Sequence, residues 1–311
     1  MNNNQIHKPL HTKEEFLTNP ELTSYPWTMS PFAVKLINSD KTLTNKEKEL
    51  CLTFAKDGFV IIDLDLPENF EEDLVKSLDE CPGDSYFYNP QTVRYFEAWK
   101  YSKHVRQLAA NKKILDTLKL LYRREAVPFQ TINFISPSEQ DVHSDTLHFH
   151  TTPNHWMAGV WTALEPMDEE NGTLRYFKGS HKLPITEFHN LNMIAPKWSH
   201  KAGGYEQESY DTYEEYVKAL MTLGYEEHKY IGPKGKAIIW SANVLHGGSP
   251  LLDRTRTRKA QATHYYFKDM PGIGKDQRYY CPMYSNESLG EYSLKKVDEK
   301  DILGLHKKLD Y

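Results

Sequence analysis

The stretch His143-Ser144-Asp145-Thr146-Leu147-His148-Phe149-His150 puts three histidines and a carboxylate into eight residues, in a chain whose 14 histidines are otherwise scattered. In an extended backbone, residues i and i+2 point to the same side. His143 and Asp145 can therefore grip one ion together. An imidazole and a carboxylate so placed need one more imidazole to make a 2-His-1-carboxylate facial triad, the set that leaves adjacent positions open on Fe(II). Two of those positions suit a chelating keto acid and the third suits O2. The second histidine must come from a distant strand. His246 is the candidate: it follows the apolar run Ala237-Ile238-Ile239-Trp240 and precedes Gly247-Gly248-Ser249-Pro250. Glycines beside it let the backbone approach a metal without crowding.

The surroundings of this cluster decide the fold class. From Ala126 onward the chain breaks into short runs of strand character: Phe129–Ile135, Ala158–Leu164, Thr173–Phe177, Ala237–Trp240 and Arg258–Phe267. Turns such as Asn171-Gly172 and Pro233-Lys234-Gly235 separate them. Upstream, Thr44 and Glu47 form a capping box that opens a helix through about Lys56. Asp57-Gly58 ends that helix, and Phe59–Ile62 reads as a short buried strand. A second helix is expected over Asn69–Leu78. Apolar residues from Val105 to Leu121 recur at helical spacing across Lys103–Tyr122. Helices flanking a β-rich middle predict a barrel or jelly roll with packed helices.

Residues 1–44, broken by Pro20, Pro26 and Pro31, read as an irregular N-terminal arm with Tyr25, Trp27 and Phe32 as candidate anchors. Residues 45–311 read as one domain, with its β core at about 126–267 and an insertion at about 184–230. That insertion is rich in Tyr and Lys and helical from Asp211 to Leu223. A long insertion of this kind is expected to act as a lid or substrate-binding element.

A formal net charge of −5 argues against a general nucleic-acid binder. No stretch approaches the length of a membrane span, and the polar start Met1-Asn2-Asn3-Asn4-Gln5 shows no signal-peptide h-region. The odd, widely spaced Cys51, Cys81 and Cys281 indicate neither a disulfide framework nor a zinc site, and point to a reducing, cytoplasmic setting. The expected partner is a small-molecule substrate. Oligomeric state is not readable from the sequence.

A keto acid with a distal carboxylate needs a fork-shaped cation, and arginine makes two parallel hydrogen bonds to a carboxylate. Arg258, with Ala260 and Ala262 following on its own face, is the expected clamp, because the small side chains leave room for a ligand. Arg254 and Arg256 sit in an apparent turn and read as solvated charges, Arg256 being the backup. His148 and His150 begin a cupin-type HxH, but no completing carboxylate follows. With His155 they are read either as residues of the pocket mouth or as ordinary strand and loop histidines. His181 reads as structural, and Asp168, Glu169 and Glu170 as a solvated acidic turn.

The order His143-Ser144-Asp145, Val160-Trp161-Thr162-Ala163-Leu164, Glu170-Asn171-Gly172-Thr173-Leu174, Lys178-Gly179-Ser180-His181-Lys182, His246-Gly247-Gly248 and Arg258-Lys259-Ala260 resembles the phytanoyl-CoA dioxygenase family over about residues 126–267. The resemblance implies a double-stranded β-helix of the cupin-like jelly-roll type, an Fe(II) centre and 2-oxoglutarate as cosubstrate with O2. It implies His143, Asp145 and His246 as iron ligands, Arg258 as the residue on the distal carboxylate, and Trp161 near the cosubstrate. The activity implied is hydroxylation of an unactivated C–H bond of a small molecule, with release of succinate and CO2. The family often carries Ser or Thr two residues after the distal histidine, where this chain has Gly248. The missing polar partner is therefore sought at Gln130, Thr131 or Ser249. The competing reading is a non-catalytic or other-metal binding module on the same barrel.

Overall fold

The computed structural model describes residues 24–81, 86–89, 92–185, 207–270, 278–280, 292–297 and 300–305. Its centre is a seven-stranded antiparallel sheet in the order β1-β9-β6-β11-β4-β3-β2. The strands are β1 (Phe59–Asp63), β2 (Tyr86–Asn89), β3 (Thr92–Phe96), β4 (Ala126–Phe134), β6 (Met157–Ala163), β9 (Lys236–Ser241) and β11 (Ala260–Phe267). A smaller sheet, β10-β7-β8, is built from β7 (Leu174–Phe177), β8 (Glu227–Lys229) and β10 (His246–Gly248). Two strand pairs complete the described architecture: β5 (His150–Thr152) with β12 (Arg278–Tyr280), and β13 (Tyr292–Val297) with β14 (Lys300–Leu305).

Strand alternation sorts the large sheet into two faces. One face carries Val160, Ile239, Tyr265 and Phe267. It packs on helices α1 (Ala33–Ser39), α2 (Asn45–Asp57), α3 (Phe70–Ser77), α4 (Lys103–Ala109) and α5 (Lys112–Tyr122), whose Ile37, Phe54, Leu74, Leu108 and Leu118 are buried there. The other face carries Trp161, Ile238, Trp240, Ala260 and Ala262, and packs on Leu174 and Tyr176 of the small sheet. Each fully buried Leu, Ile or Phe contributes about 1.5–3 kcal/mol, so two apolar layers bind helices, large sheet and small sheet together. Two facing sheets with helices against the outer face of one make the double-stranded β-helix expected above.

The local signals act as their chemistry dictates, with two differences. Thr44 accepts from the Glu47 amide while the Glu47 carboxylate accepts from the Thr44 amide, and Gly58 ends α2 in a left-handed conformation at φ 86°. The helical spacing across Lys103–Tyr122 is divided between two helices. The Asn111 side chain accepts from the amides of Lys113 and Ile114 and so starts α5 afresh. The segment expected to be an irregular arm contains α1. It is tied down by Trp27, whose indole N–H donates to Leu120 O at 3.0 Å beneath the Arg123 guanidinium. Of the candidate anchors only Trp27 is buried; Tyr25 and Phe32 are exposed. Within the insertion, α6 spans Gln207–Met221, while residues 186–206 lie outside the described residues, so only part of the expected lid is seen.

Candidate metal centre

His143 and His246 meet because their backbones pair. His143 N donates to His246 O and His246 N to His143 O, both at 2.9 Å, an antiparallel bridge that extends the small sheet by one residue. Residues directly opposite in such a bridge put their side chains on one face, and the two rings lie 4.5 Å apart. Asp145 arrives differently from the extended geometry expected. It is the first residue of a 3-10 turn, Asp145–Leu147, entered from an extended Ser144. Ser144 fixes the turn by accepting from the Thr146 amide and donating to Ala242 O. Its own amide donates to the Tyr213 hydroxyl of α6, at 3.0 Å.

The ligating atoms converge. One atom each from His143, Asp145 and His246 lie within 4.8 Å of one another, all three residues buried. Asp145 Oδ1 is 3.5 Å from His246 Nε2 and 4.0 Å from His143 Nε2. A first-row ion sits about 2.1 Å from such atoms, so two of its ligands can be about 4.2 Å apart at most. Both spacings allow it. The partner atoms prepare the donors. His143 Nδ1 donates to Asp141 O at 2.8 Å and His246 Nδ1 to Val244 O at 2.9 Å, so each Nε2 carries a lone pair, and that of His143 accepts from the Gln140 side-chain amide at 3.4 Å. Burial lowers both imidazoles to about 4, so both are neutral, as ligation requires. The Trp240 indole N–H donates to Asp145 Oδ2 at 2.7 Å, which leaves Oδ1 as the free oxygen.

A third histidine faces this space. His264 Nδ1 donates to Gln130 Oε1 at 2.9 Å, and its Nε2 lies 3.8 Å from Asp145 Oδ1, although it stands outside the mutually close set of three. It was missed as a site residue, although the alternation that puts Ala260 and Ala262 on the inner face carries His264 there too. Trp240 was read only as part of a buried strand.

The remaining expected residues divide. Arg258 is buried, 2% exposed, with its guanidinium over the rings of Phe134 and Trp161 at 4.7 and 5.7 Å. Burial and the nearby Arg94 pull it down to about 9. Trp161 pairs with Ala262 on the inner face, and its indole nitrogen is buried without a partner. Gln130 lies across from His264 and holds it. Thr131 does not join them. It pairs with Thr263 on the opposite face, where Thr263 Oγ1 accepts from Gln261 and Gln261 reaches Val105 O of α4. Ser249 extends the ladder to Thr173 and so turns away from the side shared by His246 and Gly248. Arg256 is taken up by Asp168 at 2.7 Å, so the backup clamp is already neutralised.

His148 lies 5.7 Å from the His143 ring, at the rim. The side chain of His150 lies outside the description. His155 sits elsewhere, against Tyr25 and His181, in a cavity of about 680 Å³ that shares no lining residue with the triad. His181 bonds Ala55 O, in keeping with a structural role.

The residues fit a metal ion beside an anionic ligand. Three neutral or anionic donors share one space with their other polar atoms already bonded. Across from them, Arg258 Nε and Trp161 Nε1 are buried without partners among the described residues.

The sequence profile of the phytanoyl-CoA dioxygenase (PhyH) family matches residues 84–257, more than half of the chain and ending one residue before Arg258. Peroxisomal phytanoyl-CoA dioxygenase of Rattus norvegicus is 29% identical over 140 residues, which is 42% of this chain and 35% of the relative. The match thus spans about a third of that protein's length. Among solved structures, the epimerase SnoN in complex with Fe3+, alpha ketoglutarate and nogalamycin RO aligns at a TM-score of 0.56 and 15% identity, over 84% of this chain and 98% of that one. The alpha-ketoglutarate-dependent carbocyclase SnoK from nogalamycin biosynthesis aligns at 0.55 and 16%, over 76% and 90%. EctD from S. alaskensis with 2-oxoglutarate and 5-hydroxyectoine aligns at 0.55 and 17%, over 76% and 82%. Identities this low speak to the fold, and the family match carries the kinship. This chain belongs to the phytanoyl-CoA dioxygenase family.

Proposed function

We propose that the chain is a non-haem Fe(II)- and 2-oxoglutarate-dependent dioxygenase that hydroxylates an unactivated C–H bond of a small molecule. The observation that carries this is the pairing of a buried His143-Asp145-His246 donor set with a buried Arg258, in the segment leading into β11, that forms no salt bridge among the described residues. A buried guanidinium without a counter-charge is costly, and a dicarboxylate ligand supplies that charge. His143, Asp145 and His246 would hold the iron, and Arg258 the far carboxylate of 2-oxoglutarate. Bound there with 2-oxoglutarate and O2, the iron would supply the oxidising power for C–H hydroxylation, with succinate and CO2 as coproducts.

The chain's own residues do the positioning. Trp240 fixes which Asp145 oxygen faces the metal. Asp141 O and Val244 O set the two imidazole orientations. Trp161, stacked edge-on to Tyr230, walls the cosubstrate space and helps exclude water. His264 borders the same space from β11, on the side left for substrate. SnoN and SnoK show that this fold also hosts an epimerase and a carbocyclase. Hydroxylation is the reading that a complete carboxylate-containing triad favours. A cytoplasmic setting goes with it, in keeping with the buried, unbridged thiols of Cys51 and Cys81.

The test is anaerobic addition of Fe(II) and 2-oxoglutarate to apo-protein, read by the visible charge-transfer band of the chelate, beside His143→Ala and Arg258→Ala. The band is expected in the wild type, absent in the first variant and weakened in the second. No band in an iron-loaded wild type would overturn the proposal.

A further inference from the structure

The side chain of Arg258 makes one hydrogen bond among the described residues, from Nη2 to Ser138 Oγ at 3.2 Å. Ser138 lies in the connection between β4 and the His143 bridge, and that connection crosses directly over β10. Gly248 N donates to Gln140 O at 2.9 Å. A Cβ added at Gly248 would stand 3.0 Å from Ser138 Oγ and 2.9 Å from Glu139 N. Residue 248 shares the inward side with His246, two positions along the strand. No side chain fits there, and the space it would need is held by the Ser138 hydroxyl.

The bonding of that hydroxyl is lopsided. Ser138 Oγ accepts from Arg258 Nη2 and from Gln140 N, the latter at 3.4 Å, so both lone pairs are directed at protein donors. Its own O–H proton has no acceptor among the described residues. A serine hydroxyl has one donor and two acceptor sites, so the proton is the part left over. It stands beside a guanidinium whose Nε is also unpartnered. The two residues, already bonded to each other, each keep a donor unused among the described residues, and such donors suit one carboxylate. The carbonyl of Ser138 is pinned by Arg94 Nη2 at 3.1 Å, which holds the residue in place.

We propose that Ser138 donates its hydroxyl hydrogen to the far carboxylate of the keto acid, beside Arg258. Selectivity for a dicarboxylate is then read from the β4 connection, because Gly248 on β10 carries no side chain. This rests on the assignment of Arg258 made above, and the experiment separates the two.

Metal-loaded protein, with Mn(II) as a redox-stable stand-in, is titrated calorimetrically with 2-oxoglutarate and with 2-oxobutyrate, which keeps the chelating end and lacks the far carboxylate. Ser138→Ala is expected to weaken 2-oxoglutarate about tenfold, the scale of one hydrogen bond to a charged group, and to leave 2-oxobutyrate unchanged. Ser138→Thr, which keeps the hydroxyl, is expected to bind both as the wild type does. Arg258→Gln, with Arg258→Lys as a charge-keeping companion, is expected to weaken only 2-oxoglutarate. If the Arg258 variants weaken 2-oxoglutarate selectively and Ser138→Ala does not, the Ser138 role is overturned and the Arg258 assignment stands. If Ser138→Ala weakens both keto acids equally, the residue only shapes the loop, which also overturns the proposal. If the Arg258 variants bind both as the wild type does, the underlying assignment fails.

Discussion

Trp240→Phe isolates one hydrogen bond that orients a metal ligand. The indole N–H donates to Asp145 Oδ2 at 2.7 Å, deep in the inner layer. Phenylalanine keeps a ring against His246, whose centroid lies 4.7 Å from that of Trp240, and removes the donor. A hydrogen bond to a charged acceptor is worth about 1.5–3 kcal/mol. At about 1.4 kcal/mol per tenfold, this corresponds to about 10–150-fold in any equilibrium that needs the bond. The figure agrees with the 10–100-fold typical of partners that orient a metal ligand. The assay is Mn(II) or anaerobic Fe(II) titration of apo-protein by calorimetry, with a melting curve in chelator to separate loss of fold from loss of affinity. The metal dissociation constant is expected to rise about 10–100-fold while the apo-protein still melts cooperatively. An affinity within twofold of wild type would refute the claim that Trp240 chooses the ligating oxygen.

Three further outcomes follow from the same packing. Gly159→Ala puts a Cβ within 2.3–2.5 Å of the Trp240 indole. It should destabilise by about 1–3 kcal/mol in urea titration and lower metal affinity in the same direction as Trp240→Phe; an unchanged affinity would uncouple the two. Asn111→Ala removes the cap that starts α5 and should cost about 1 kcal/mol in the same titration, with metal affinity untouched. His143, His246, His264, His155 and His181 are all lowered to about 4, chiefly by burial. Between the ordinary histidine range near 6.5 and 4 the unfolded chain binds more protons than the folded one. Stability of the metal-free protein should therefore fall as pH drops through that window, read as melting temperature against pH in chelator. A flat profile from pH 7 to 4 would contradict buried neutral imidazoles.

What the sequence showed clearly was whatever local chemistry controls. The Thr44 and Glu47 capping box, the Gly58 stop and the strand runs from Phe129 to Phe267 all appear in place, because each depends on neighbours a few residues away. The split at Asn111 was legible in principle, since Asn is a preferred N-cap, but the apolar spacing ran through it. The phase of β4 was not legible. This strand is buried on both faces, so no polar alternation marks the inner side. A choice between Gln130 and Thr131 then needs the pairing partner, and only the register with His264 and Thr263 supplies it. Ser138 was hidden for a related reason: its importance lies in a crossing over β10 that no local pattern announces.

The site is divided between the small sheet and the segment that leads into the large one. The proposed metal donors come from the small sheet and the turn after it, where His143, Asp145 and His246 are held by backbone carbonyls and one indole. Arg258 comes from the segment that leads into β11 on the large sheet. Glu165, the carboxylate that acts on it electrostatically, accepts hydrogen bonds from the Thr257 hydroxyl and the Lys259 amide. Among the described residues no acid forms a salt bridge with Arg258, which is buried at a cost in stability. Ala260 and Ala262 put only small side chains on the inner face of β11 between Arg258 and His264. A ligand reaching from the metal to Arg258 must then present a chelating group at one end and a carboxylate at the other. Both sheets must be correctly registered before either end is recognised, so binding reports on the whole fold rather than on one loop.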